Sequence, residues 1–119
     1  MDLNLTEEQK LIQKTAREFA CKELEPIASK LDELGKPPIE QFRKLGELGF
    51  LGLMVPPEYG GSKADTVSYV LVVEELSRVC ASTGIMVAIQ NSLVCQPIAL
   101  FGTEEQKRRY LPDLASGKA

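Results

Sequence analysis

The stretch Ser82–Gly102, STGIMVAIQNSLVCQPIALFG, constrains the fold more than any other part of the chain. Ile85 to Ile89 is apolar all round and leaves no hydrophilic side for water. Such a helix belongs either at the centre of a bundle or in a membrane. Gln90, Asn91 and Ser92 interrupt the run, and a span needs about 20 consecutive, mostly apolar residues. The expectation is a buried central helix with no membrane span, wrapped by the amphipathic helices before it. Its polar side chains then need partners.

Capping signals and apolar periodicity place those other helices. Thr6-Glu7-Glu8-Gln9 is a capping box, and its two glutamates suit the positive end of the helix dipole. Ile12, Ala16, Phe19 and Ala20 then follow at helical spacing. Pro26 must end or kink that helix. Ile27, Leu31 and Leu34 carry a stripe on to Gly35 and Pro37-Pro38. Ile39, Phe42, Leu45 and Leu48 mark a third helix beginning near Pro38. The glycine-broken LGELGFLGLMVPPEYGG reads as a buried-to-surface loop. Its Gly60-Gly61 reads as a flexible turn, because no Lys-Ser/Thr follows as a phosphate loop requires. Asp65 is the expected cap of a fourth helix rich in Val and Leu. Small residues at Cys80–Gly84 would let the fourth and central helices approach closely. Pro97 should kink or end the central helix, with Gly102 as the stop. Thr103-Glu104-Glu105-Gln106 repeats the opening cap and starts a last helix, expected to halt before Pro112. With no clear period-two segment, the fold class is all-α: an orthogonal or up-down bundle of about five to six helices, in one domain of 119 residues.

The totals exclude more chemistry than they suggest. Net charge is −3, and the one basic cluster, Lys107-Arg108-Arg109, follows Glu104 and Glu105 as a solvated helix does, so no nucleic-acid partner is expected. Histidine is absent, which removes Ser-His and Cys-His catalysis and most catalytic zinc sites. Cys21, Cys80 and Cys95 form no C-x-x-C and read as buried free thiols in a reducing compartment. MDLNLTEEQK has no targeting pattern, so a cytoplasmic location is expected. Acid spacing shows no metal loop. Glu74 and Glu75 are the acids inside an apolar run, with an exposed helix edge as the ordinary place for either. Tyr59, Tyr69 and Tyr110 read as core-edge aromatics. No catalytic, cofactor-binding or metal-binding residue is assigned. Ile85, Met86, Ile89 and Leu93 share one broad helical face. That face either packs in the core or lines an apolar slot for a ligand chain with Gln90 at its rim.

Four blocks resemble the acyl-CoA dehydrogenase family in its N-terminal helical domain: LTEEQKLIQKTAREFACKELEPIA, LGELGFLGLMVPPEYGG, VEELSRVCASTGIMVAIQNSL and PIALFGTEEQKRRYLPDLASGKA. They follow the family's order and cover nearly the whole chain. The Cys-Ala-Ser-Thr-Gly and Asn-Ser-Leu pieces are most similar to the short-chain, butyryl-CoA type. The resemblance implies an enzyme of three domains, of which residues 1–119 would be the first. The middle β-domain and the C-terminal helical domain would be absent from this chain. It implies FAD in the full-length parent and none on this chain alone. It implies removal of two hydrogens across Cα–Cβ of an acyl-CoA thioester, with a glutamate taking the α-proton and hydride passing to flavin N5. Electron-transfer flavoprotein would be the redox partner, and a homo-oligomer the assembled form. The tail-lining positions fall on Met86, Ile89, Gln90 and Leu93, with Ile85 beside them. On this reading the chain walls the acyl pocket and is inactive alone. The alternative is a stand-alone helical interaction module derived from that domain.

Overall fold

The computed structural model describes residues 4–35 and 37–118. Met1–Leu3, the start of the MDLNLTEEQK stretch, lie outside them, as do Lys36 and Ala119. The helices are α1 (Glu7–Phe19), which widens into a π turn at Ala20–Leu24, then α2 (Ala28–Leu34) and α3 (Ile39–Glu47). A 3-10 turn at Pro57–Tyr59 precedes α4 (Thr66–Val79). Next come α5 (Ala81–Ile89), a π segment (Gln90–Cys95) and α6 (Gln96–Phe101), which join into one rod, and last α7 (Glu104–Ser116). No strand occurs among the described residues, so the fold is all-α as expected.

The caps form as the sequence specifies. Thr6 Oγ1 accepts from Gln9 N–H at 3.1 Å while Gln9 Oε1 accepts from Thr6 N–H at 2.9 Å. Thr103 and Gln106 repeat the pair at 3.2 and 2.9 Å. Asp65 Oδ1 caps α4 through Ser68 N–H at 2.7 Å. The same carboxylate accepts from Gln9 Nε2 at 2.8 Å, tying the two helix starts together. Arg17 meets Glu75 further along, so α1 and α4 run side by side in the same direction. Tyr69 bonds Ala88, and Ser77 lies against Gly84, so α4 and α5 run antiparallel. The main core lies between these three helices, around Ala16, Phe19, Leu24, Val72, Leu76 and Val87. Phe50, Leu51 and Leu53 enter it from the glycine-broken loop. A second cluster joins Val55, Tyr59 and Cys95 to Leu111 of α7.

Several expectations are corrected. The central helix is not buried all round, as its exposed stripe described below shows. Pro97 does not end it: the π segment opens the turn just before the proline, and the rod continues to Phe101. The rod therefore reaches 21 residues, so length and composition alone do not rule out a membrane span as the broken run suggested. On its inner side Thr83, Val87, Asn91 and Cys95 are buried against protein. Pro112 does not halt the last helix either. It sits inside α7, which runs on to Ser116 with Leu111 and Ala115 buried one turn apart. Cys80 and Cys95 are buried, but Cys21 is exposed, since it faces outward on the π turn after α1. Gly60-Gly61 forms a turn as expected, and a tightly wound one. Gly60 takes φ of 86°, and a Cβ on Gly61 would strike the Val55 carbonyl.

Candidate functional site

Residues four apart drift around a regular α-helix of about 3.6 residues per turn, so positions sixteen apart lie about 160° from each other. The rod does not drift in this way. Thr83, Val87, Asn91 and Cys95 are all buried. Ile85, Ile89, Leu93, Pro97 and Phe101, also four apart, are all exposed. The π segment is the cause. Its wider turn, closed by Gln96 N–H donating to Asn91 O, takes back much of the drift and keeps both stripes in line.

The inner stripe is bolted down by polar groups. Asn91 Oδ1 accepts from Leu53 N–H at 2.8 Å, and Asn91 Nδ2 donates to Phe50 O and Val87 O at 2.9 Å each. Where the π turn opens, the Ala88 carbonyl accepts from Ser92 Oγ at 2.7 Å and from Tyr69 Oη at 3.1 Å. Gly84 lets α5 lie hard against Ser77 of α4, where any Cβ would collide. Thus the polar residues that interrupt the apolar run are the fasteners of the helix.

The outer stripe has no such attachment. Ile85 is 57% exposed, Ile89 43% and Leu93 69%, values that belong to a surface and not to a core. The structure therefore brings these three together on one uncovered apolar face. Met86 and Gln90 lie on the neighbouring flank, each half-buried. The Gln90 amide is already engaged, donating to Leu114 O of α7 at 2.8 Å. The sequence displayed the stripe only as a four-residue period, a signal hidden because every residue from Ile85 to Ile89 is apolar or small.

Glu75 is almost fully buried rather than at a helix edge, and it is paired. Arg17 donates to both its oxygens at 2.9 and 3.2 Å, Arg78 at 3.3 Å, and Gln13 at 3.4 Å. The Arg17 bond, against the opposing cost of burial, holds its carboxyl below the ordinary range, the reverse of what a general base at neutral pH needs. Tyr59 is buried and donates to Glu104 at 2.8 Å, with Arg108 Nε also on that carboxylate at 2.8 Å, so Arg108 of the basic cluster is locally paired. No cluster of three or more Cys, Asp or Glu side chains that could hold a metal ion occurs among the described residues. Two open grooves of about 600 Å³ flank α2, and neither reaches the stripe. No buried side-chain donor or acceptor among the described residues lacks a partner.

Fold and site together define an all-α helical domain whose central rod is anchored on one side by hydrogen bonds and carries an uncovered apolar stripe on the other. Residues 6–118 match the family described as acyl-CoA dehydrogenase, N-terminal domain, and the chain belongs to it. It is 47% identical to a probable acyl-CoA dehydrogenase, YngJ, of Bacillus subtilis over 100% of its own length and 31% of that protein's. It is 46% identical to the short-chain specific acyl-CoA dehydrogenase of Clostridium acetobutylicum over 99% of its length and 31% of the relative. Among solved structures, butyryl-CoA dehydrogenase from Megasphaera elsdenii superposes with a TM-score of 0.93 at 38% identity, covering 99% of this chain and 32% of that one. A chain from a structure of the electron transferring flavoprotein of Acidaminococcus fermentans gives 0.94 at 47% identity, over 98% and 31%. The chain thus spans about a third of the length of these relatives. None of them is a stand-alone helical module, and that alternative is not favoured.

Proposed function

We propose that the chain is the acyl-pocket wall of a flavin-dependent, short-chain acyl-CoA dehydrogenase. The observation that carries this is the stripe of Ile85, Ile89 and Leu93, left bare on a helix whose other side is fixed by hydrogen bonds. Apolar side chains held at fixed height suit a hydrocarbon tail, which offers nothing to a hydrogen bond. Each methylene buried there contributes about 0.8 kcal/mol. Met86 and Gln90 would border the slot.

FAD, which supplies the two-electron chemistry when bound, is assigned to the middle β-domain and C-terminal helical domain, together with the catalytic glutamate. Residues 1–119 hold, orient and exclude water from the tail. An electron-transferring flavoprotein is the proposed electron acceptor, supported by the setting in which a similar chain was solved. A homo-oligomer, a place in fatty acid metabolism and a cytoplasmic location complete the reading. The free thiols at Cys21, Cys80 and Cys95 support a reducing compartment, whereas a bovine relative is mitochondrial.

The test is oxidation of butyryl-CoA by the full-length protein with an artificial electron acceptor, following flavin bleaching. Turnover that falls as the acyl chain lengthens supports the reading. A flavin-free full-length protein that does not turn over any acyl-CoA would refute it.

A further inference from the structure

The outer stripe is placed by what lies behind it. Asn91 sits between Ile89 and Leu93, and residues two apart on a helix lie about 200° around its axis. The Asn91 side chain therefore points away from the stripe and into the protein, where it is 2% exposed. Asparagine is a poor helix former. An apolar residue of that size would suit a core that already holds Leu51 and Leu53. What an apolar residue could not do is hold Leu53 N–H and Phe50 O, main-chain groups of an irregular loop. These bonds are to backbone, so they fix the depth and rotation of the rod whatever side chains surround it. Asn91 also closes the π turn through its own carbonyl. That carbonyl bond is main-chain and survives any substitution, so the part special to the Asn91 side chain is the anchoring of the segment that carries Ile89 and Leu93 to Leu53 N–H and Phe50 O.

We propose that Asn91 is the positioning residue for acyl-chain length, setting how far Ile89 and Leu93 project into the slot. The proposal rests on the acyl-wall reading above. Discrimination of a methylene by an apolar pocket spans about 10- to 200-fold in rate. A small change in the height of the wall is therefore readable in specificity.

The experiment uses the full-length protein with its flavin and measures kcat/KM for butyryl-, hexanoyl- and octanoyl-CoA. Asn91→Ser and Asn91→Ala are compared with Ile89→Ala. The expected result is a butyryl-to-octanoyl ratio moved by about tenfold or more in the Asn91 variants. A proportional fall on all three substrates, with the ratio unmoved, overturns the proposal. Ile89→Ala separates the two claims. If it shifts the ratio and the Asn91 variants do not, Asn91 is merely structural and the acyl wall stands. If Ile89→Ala also leaves the ratio unmoved, the acyl-wall reading itself fails. Should the Asn91 variants not fold, hydrogen exchange on the wild type decides. The Leu53 amide is expected to exchange about tenfold faster with bound S-octyl-CoA thioether than with S-butyl-CoA, as the longer tail pushes on the clamp. Equal protection with both overturns the proposal.

Discussion

At Glu75 the sequence suggests an exposed helix edge, and the structure instead buries the carboxylate among paired partners. Burial would raise its pKa, but two arginines and a glutamine meet it, and the Arg17 bond outweighs the burial. The folded state thus holds this carboxyl below its ordinary value of about 4.5, where the unfolded chain titrates normally. A depressed folded pKa gives stability that is present above that value and lost as pH falls through the folded one. Glu75→Gln, which mimics the protonated acid, should therefore lower stability at neutral pH by about 2 kcal/mol. Thermal melts of both proteins should show a gap that closes as the pH drops below about 4.5. A gap that persists unchanged into acid would mean the charge contributes nothing. The Arg17 partner was not legible in the sequence, since Arg17 and Glu75 meet only through the parallel packing of α1 and α4, whereas Arg78 lies three residues along the same helix.

Elements bounded by side-chain caps were legible, because the capping residue and its partner are three apart and need nothing else. Thr6, Asp65 and Thr103 all cap as expected. Elements bounded by proline were legible in part. Helices end before Pro26 and begin after Pro38 as expected. But Pro97, read as a kink or an end, follows a π turn without ending the rod, and Pro112, read as a stop, rides in a helix held by Leu111 and Ala115. Tertiary packing overrides a local penalty in both. The small-residue passage at Cys80–Gly84 was read correctly as a close approach. Gly84→Ala should cost about 2 kcal/mol, because the new methyl meets Ser77 Oγ and lies 2.9 Å from Ser77 Cβ. Adding Ser77→Gly should restore part of that loss in a denaturation series. No rescue would mean that strain within α5, rather than the contact between helices, limits the site.

Across the whole molecule, the class and family were legible because four long blocks keep their order. The burial of the central helix was misjudged because a sequence does not show what covers an apolar face. Residues 1–119 expose Ile85, Ile89, Leu93, Leu100 and Phe101 along one rod. Patches of this kind drive association. The isolated chain should elute larger than a monomer and bind an apolar dye, and Leu93→Glu with Phe101→Glu should reduce both. A dye-silent monomer would mean that the stripe is covered within the chain. The central claim, that this stripe is a wall for an acyl tail, is tested most directly by a crystal structure of the full-length protein with bound S-hexyl-CoA. The account predicts the terminal carbons within about 4.5 Å of Ile89 or Leu93. A tail seated elsewhere, with Ile85, Ile89 and Leu93 packed against polypeptide instead, would contradict it.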